Sequence, residues 1–148
     1  MNKKILIKLI LIVLVVFLIY IKITNYSTAL KLNWDIKLPP QAKMTEIYEN
    51  SAEPSFHGDG IRYHIFSYKN EEVINKMFNW NKEEKETFFC DSYSECIDSW
   101  LNEIETPKEY FPDYHNCVYW YSKKDGYNEI IILWNKEENK IYVVESFV

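Results

Sequence analysis

The stretch from Ile5 to Ile23, ILIKLILIVLVVFLIYIKI, restricts this chain more than any other part of it. Its 19 residues carry only two charges, Lys8 and Lys22, and the uninterrupted apolar run from Leu9 to Ile21 is 13 residues long. Thirteen helical residues fall short of a hydrocarbon layer of about 30 Å, which takes about 20. Lys8 and Lys22 can lay their stems along the apolar layer and hold their ammonium groups at the headgroups, so all 19 residues become usable. Tyr20 stands near the outer end, where an interfacial aromatic is expected. Lys3, Lys4, Lys8 and the amino terminus put positive charge on the leading side, which predicts an N-in, C-out orientation. The expectation is a single-pass cell-membrane anchor over residues 1–23, with an extracytoplasmic domain behind it. A cleaved signal is the alternative: Ser27-Thr28-Ala29 offers small residues at the −3 and −1 positions, and cutting after Ala29 would secrete the domain. The apolar stretch exceeds the usual signal-peptide core, which favours the anchor. No cysteine lies nearby for lipoprotein processing.

The anchor also distorts the charge balance. Lys3, Lys4, Lys8 and Lys22 are four of the 17 basic residues, which leaves 13 against 22 acidic ones from Asn25 onward, or −9. Arg62 is the single arginine. Such a domain repels phosphate backbones, so nucleic acid is excluded as a partner, and it would not adhere to anionic lipid by itself. Aromatic residues make up 17% of the chain. Rings anchor peptide and carbohydrate ligands, but in a domain of about 110 residues they also fill a core, the preferred reading here.

Behind the anchor, residues 24–38 read as a tether that ends at Leu38-Pro39-Pro40, and residues 39–148 as one α+β domain. A first strand is expected over Lys43 to Glu49, then a loop over Asn50 to Gly60, then a strand from Ile61 to Tyr68. Asn70, followed by Glu71 and Glu72, opens a short helix with Val73, Ile74, Met77 and Phe78 at helical spacing. Ser92 and Glu95 form a capping-box pattern ahead of a second helix striped by Ile97, Trp100, Leu101 and Ile104. The last third reads as a meander: Cys117 to Lys123, a two-residue turn at Asp125-Gly126, Ile130 to Trp134, a turn over Asn135 to Asn139, and Ile141 to Val148. Ile130 to Trp134 is apolar on both faces, as suits an interior strand. The predicted order is ββααβββ, an antiparallel sheet with both helices on one face.

Phe56-His57-Gly58-Asp59-Gly60 is the most distinctive local sequence. His57 and Asp59 on a glycine-rich loop could act as a base pair or begin a metal cluster completed by His64 or His115. A tight turn accounts for the same residues, with glycines at positive φ, and it is the preferred reading. No zincin, EF-hand, CxxC, nucleophile-elbow or phosphate-loop pattern accompanies it, so no metal site and no cofactor is expected. Tyr110, Phe111, Tyr114, Tyr119, Trp120 and Tyr121 cluster near Pro107 and Pro112, and either line a groove or cover the sheet. His64, Tyr110, His115 and Trp120 are thus the candidate binding residues. Of three cysteines, Cys96 and Cys117 could meet across the core, Cys90 and Cys96 could pair locally, or all could stay reduced.

Leu38-Pro39, the Phe-His-Gly-Asp-Gly loop leading into the Tyr63 strand, and Lys140-Ile-Tyr-Val143 resemble a group of small membrane-tethered proteins of Gram-positive bacteria, over roughly residues 38 to 146. The resemblance implies location and fold and brings no catalytic residue with it. The expected function is a non-enzymatic module that binds a protein, peptide or wall component at the cell surface. An extracytoplasmic hydrolase or metal-dependent enzyme built on His57 and Asp59 is one alternative. An immunity or inhibitor protein, an acidic domain opposing a basic partner, is another.

Overall fold

Two adjacent strands near the C-terminus, Asn128–Asn135 and Lys140–Phe147, are buried along almost their whole length. Their sequences, NEIIILWN and KIYVVESF, place large apolar side chains at successive positions, so each strand needs cover on both faces. A computed structural model shows how the chain provides it. The structure describes residues 6, 8, 10–16, 26–40, 44–52, 59–80 and 92–148. The chain divides into two units, Met1–Pro39 and Pro40–Val148.

In the first unit, residues 10–16 are helical and a further helix, α1, spans Tyr26–Trp34. The stretch read as a tether therefore holds nine helical residues. The chain leaves α1 through Asp35 at φ 59°, whose N–H donates to the Lys31 carbonyl while its carboxylate pairs with the Lys31 ammonium. Among the described residues, no helix is long and apolar enough to cross a membrane.

The second unit is α+β. Its strands are β1 (Met44–Ser51), β2 (Gly60–Tyr68), β3 (Cys117–Lys124), β4 (Asn128–Asn135) and β5 (Lys140–Phe147). They form one antiparallel sheet in the order β1-β2-β5-β4-β3. Two helices, α2 (Glu71–Asn75) and α3 (Tyr93–Glu103), lie between β2 and β3 in sequence. The order ββααβββ and the interior position of β4 agree with the sequence reading. The β3–β4 connection is one residue longer than expected. Asp125 and Gly126 both take positive φ, as the turn chemistry requires, but Lys124 pairs with Asn128 and leaves Tyr127 outside the ladder.

One face of the sheet carries Ile61, Tyr63, Ile65, Tyr119, Ile131, Leu133, Tyr142 and Val144. Helix α3 lays Cys96, Ile97 and Leu101 against it, joined by Ile104 at the helix C-cap. Ser92 starts this helix by accepting the Glu95 N–H at 3.2 Å, the forward half of the expected capping box. Asn50, near the end of β1, holds the other end: its amide donates to the Ile104 carbonyl at 2.9 Å and to Thr106 Oγ1 at 3.1 Å. That contact explains why β1 runs two residues past Glu49 rather than ending in a loop.

Strand register places Phe66, Ile132, Trp134, Ile141 and Val143 on the opposite face. Here the cover comes from the chain after α2. Trp80 packs 5.2 Å from the Trp134 ring, and Phe78 stacks on Trp120 at 4.5 Å. Trp134 Nε1 donates to the Tyr68 hydroxyl at 2.6 Å. The expectation of both helices on one face is therefore corrected. A sheet buried on both sides draws α3 to one face and the short α2 with its aromatic continuation to the other. Helix α2 itself ends at Asn75, so Met77 and Phe78 lie beyond it.

Leu101 is fully buried between α3 and the sheet. Leu101→Ala removes its transfer energy and leaves a cavity, so urea unfolding should show a loss of about 2–5 kcal/mol with little change in m-value.

Candidate functional site

The second unit has a groove of about 550 Å³ at the end of the sheet where α3 finishes. Its lining includes Trp100 and Glu103 from α3, Lys123, Tyr127 and Glu129 from the β3–β4 hairpin, and Ser146 from β5. The local fold accounts for each position. The additional residue in the hairpin leaves Tyr127 70% exposed, with its ring free at the rim. The apolar stripe of α3 runs past the end of the sheet at Trp100, which is half-buried. Gly60, at φ 128°, forms part of the lining where β2 starts, and a Cβ there would meet Ala52 Cβ at 3.1 Å. Glu129 is almost fully buried and pairs with Lys123 at 2.7 Å. That ion pair gives a mainly apolar groove a fixed polar point, while exposed Glu103 leaves a negative excess at the rim.

The candidates named from sequence do not converge on this groove. His57 lies outside the described residues, and Asp59 is exposed at the start of β2. Tyr110 belongs to the core: its ring stacks on Tyr48 at 3.7 Å, and its carbonyl accepts the Tyr63 hydroxyl at 2.6 Å. Trp120 faces the other side of the sheet, under Phe78. His115 sits on an exposed 3₁₀ turn whose backbone is tied to Asp113. The aromatic concentration from Tyr110 to Tyr121 is thus distributed over both faces of the sheet, and none of it lines the groove.

His64 is placed differently. It is buried on β2, and its Nδ1 lies 2.5 Å from Glu46 Oε1. Burial holds the imidazole down at about 4; neighbouring Arg62 adds to this and Glu49 opposes it. Burial also raises the Glu46 carboxyl. His64 Nδ1 and the Glu46 carboxyl group share one hydrogen bond, whose direction is set by the imidazole tautomer. One ligand atom each from Glu46, Glu49 and His64 fall within 4.8 Å of one another. Sequence inspection missed the two glutamates because residues three apart in a regular strand point to opposite faces. A register shift between Glu46 and Tyr48 brings them to the same face, and nothing in the local sequence announces it.

The cysteines also depart from one expectation. Cys96 is disulfide-bonded and Cys117 is a free thiol, so the Cys96–Cys117 bridge is corrected; Cys90 lies outside the described residues. Cys117 turns its Sγ to the Asp113 carbonyl at 3.2 Å. Burial, with the carboxylates of Asp113 and Glu138, pushes its thiol up to about 12. At pH 8 the thiolate fraction should fall on the order of a thousandfold below that of an ordinary cysteine. Iodoacetamide should therefore label Cys117 slowly in the folded chain and rapidly in denaturant, a contrast readable by mass spectrometry. Comparison with family models, with curated proteins and with solved structures gives no match for this chain.

Proposed function

We propose that this chain is a membrane-tethered, extracytoplasmic binding module without catalytic activity, and that its groove takes an extended peptide segment of a surface partner. The groove beside Trp100 and Tyr127 is the observation that carries this reading. Rings that present broad apolar area at low entropic cost, next to a few fixed polar groups, are the usual make-up of a recognition site. Lys123 and Glu129 neutralise each other, so Glu103 sets the local charge. The favoured segment carries a large apolar side chain beside a cationic one, in keeping with a domain at −9.

The anchor belongs to the same proposal. Residues 10–16 form an apolar helical run whose side chains are all 51–63% exposed. Such a surface suits lipid, and the leading lysines set the orientation as N-in, C-out. A phosphatase reporter fused to the C-terminus should be active in cells, and one fused at the N-terminus inactive. The reverse pattern would overturn the topology.

Peptides selected on the full-length chain in detergent micelles test the groove. They should be enriched in aromatic or aliphatic residues next to lysine or arginine. Tyr127→Ala and Glu103→Lys should each weaken the best peptide about tenfold or more without changing the melting temperature, since both side chains are exposed. Binders that ignore both substitutions would sink the proposal.

A further inference from the structure

We propose that Glu46, Glu49 and His64 bind a divalent transition-metal cation of the zinc class. The three side chains stand on the sheet face opposite α3, and none of them lines the groove, so this site is independent of peptide binding.

The geometry comes from the edge of the sheet. Glu46 pairs with Phe66, and after the register shift Glu49 pairs with His64, so both carboxylates reach the face on which His64 lies. Their ligand atoms already lie within 4.8 Å of one another. A tetrahedral ion with bonds of about 2.0–2.2 Å separates its ligands by roughly 3.3 Å, and small torsions of two surface glutamates can close that gap. The imidazole need not move far, because the sheet and its neighbours bury it. The site thus has one fixed ligand and two adjustable ones, with a solvent-facing side for entry and for a water as fourth ligand.

Charge points the same way. Neither Glu46 nor Glu49 has a lysine or arginine ion-pair partner among the described residues. Arg62, two residues from His64 on the same face, instead has its guanidinium 4.6 Å over the Phe147 ring. Among the described residues, two carboxylates therefore converge beside a buried imidazole without a lysine or arginine paired to either. A divalent cation balances them. The donor set separates the candidates: calcium and magnesium seek all-oxygen shells, whereas one imidazole with two carboxylates suits zinc and its neighbours in the first transition row.

Calorimetric titration of the full-length chain in micelles with zinc chloride, and separately with calcium chloride, tests the site. One saturable zinc site is expected, with a higher melting temperature in its presence and no comparable response to calcium. Glu49→Gln should weaken zinc binding about tenfold or more while leaving the metal-free melting temperature unchanged, because the side chain is exposed. Because His64 is buried and His64→Gln could fail to fold, the imidazole is read in the wild-type chain, where zinc should shift the His64 ring resonances. The proposal is overturned if no zinc binds up to about 1 mM. It is equally overturned if Glu49→Gln binds zinc as tightly as the wild type, or if the His64 resonances stay in place, since the ion would then sit elsewhere.

Discussion

Burial of the β4–β5 pair on both faces is the constraint from which the rest of the domain follows. An apolar strand side chain excluded from water contributes about 1.5–3 kcal/mol, and here such side chains alternate above and below the same two strands. A sheet of that kind cannot leave one face to solvent. The connection between β2 and β3 has to cover both, and it divides the work unequally: an 11-residue amphipathic helix on one side, a short helix and two aromatic rings on the other. The order β1-β2-β5-β4-β3 is consistent with this, because it keeps β5 and β4 away from the edges.

The face under α3 is rich in tyrosine, and the hydroxyl groups explain how so many rings can be packed there. Tyr63 donates to the Tyr110 carbonyl, Tyr114 to Asp98 at 2.6 Å, and Tyr142 to Glu138 at 2.7 Å. Burial raises all three phenols, so they remain protonated donors throughout the physiological range. Each ring contributes apolar area to the core and directs its polar tip to a partner near the surface. The same rings stack on one another, as Tyr93 does on Tyr119 at 4.9 Å. A high aromatic content therefore serves cohesion first, and the groove draws on three rings at the border of the packed region, Trp100, Tyr127 and Phe147.

The elements that were legible in the sequence are those governed by local chemistry. The alternation in β2, the Asn70 and Ser92 caps and the double-sided apolar run of β4 each have a one-dimensional signature, and each appears in place. Features that depend on register were hidden. The faces chosen by α2 and α3 follow from the burial of a sheet that forms only when distant strands meet. The proximity of Glu46 and Glu49 depends on one residue outside the ladder, and the freedom of Tyr127 on another. Cys96 and Cys117 looked well placed to pair because both border the same core, yet Cys117 directs its sulfur to the backbone beside it.

The irregularity in β1 has a consequence for solubility. Strand β1 is an edge of the sheet formed by the described residues, and an edge strand of eight residues is a template on which another chain could add a strand. The shift at Ile47 interrupts the straight ladder that such an addition needs, and the flanking glutamates place like charges where a second copy would have to approach. The departure from regular pairing that gathers Glu46 and Glu49 next to His64 therefore also protects the domain from sheet-to-sheet aggregation.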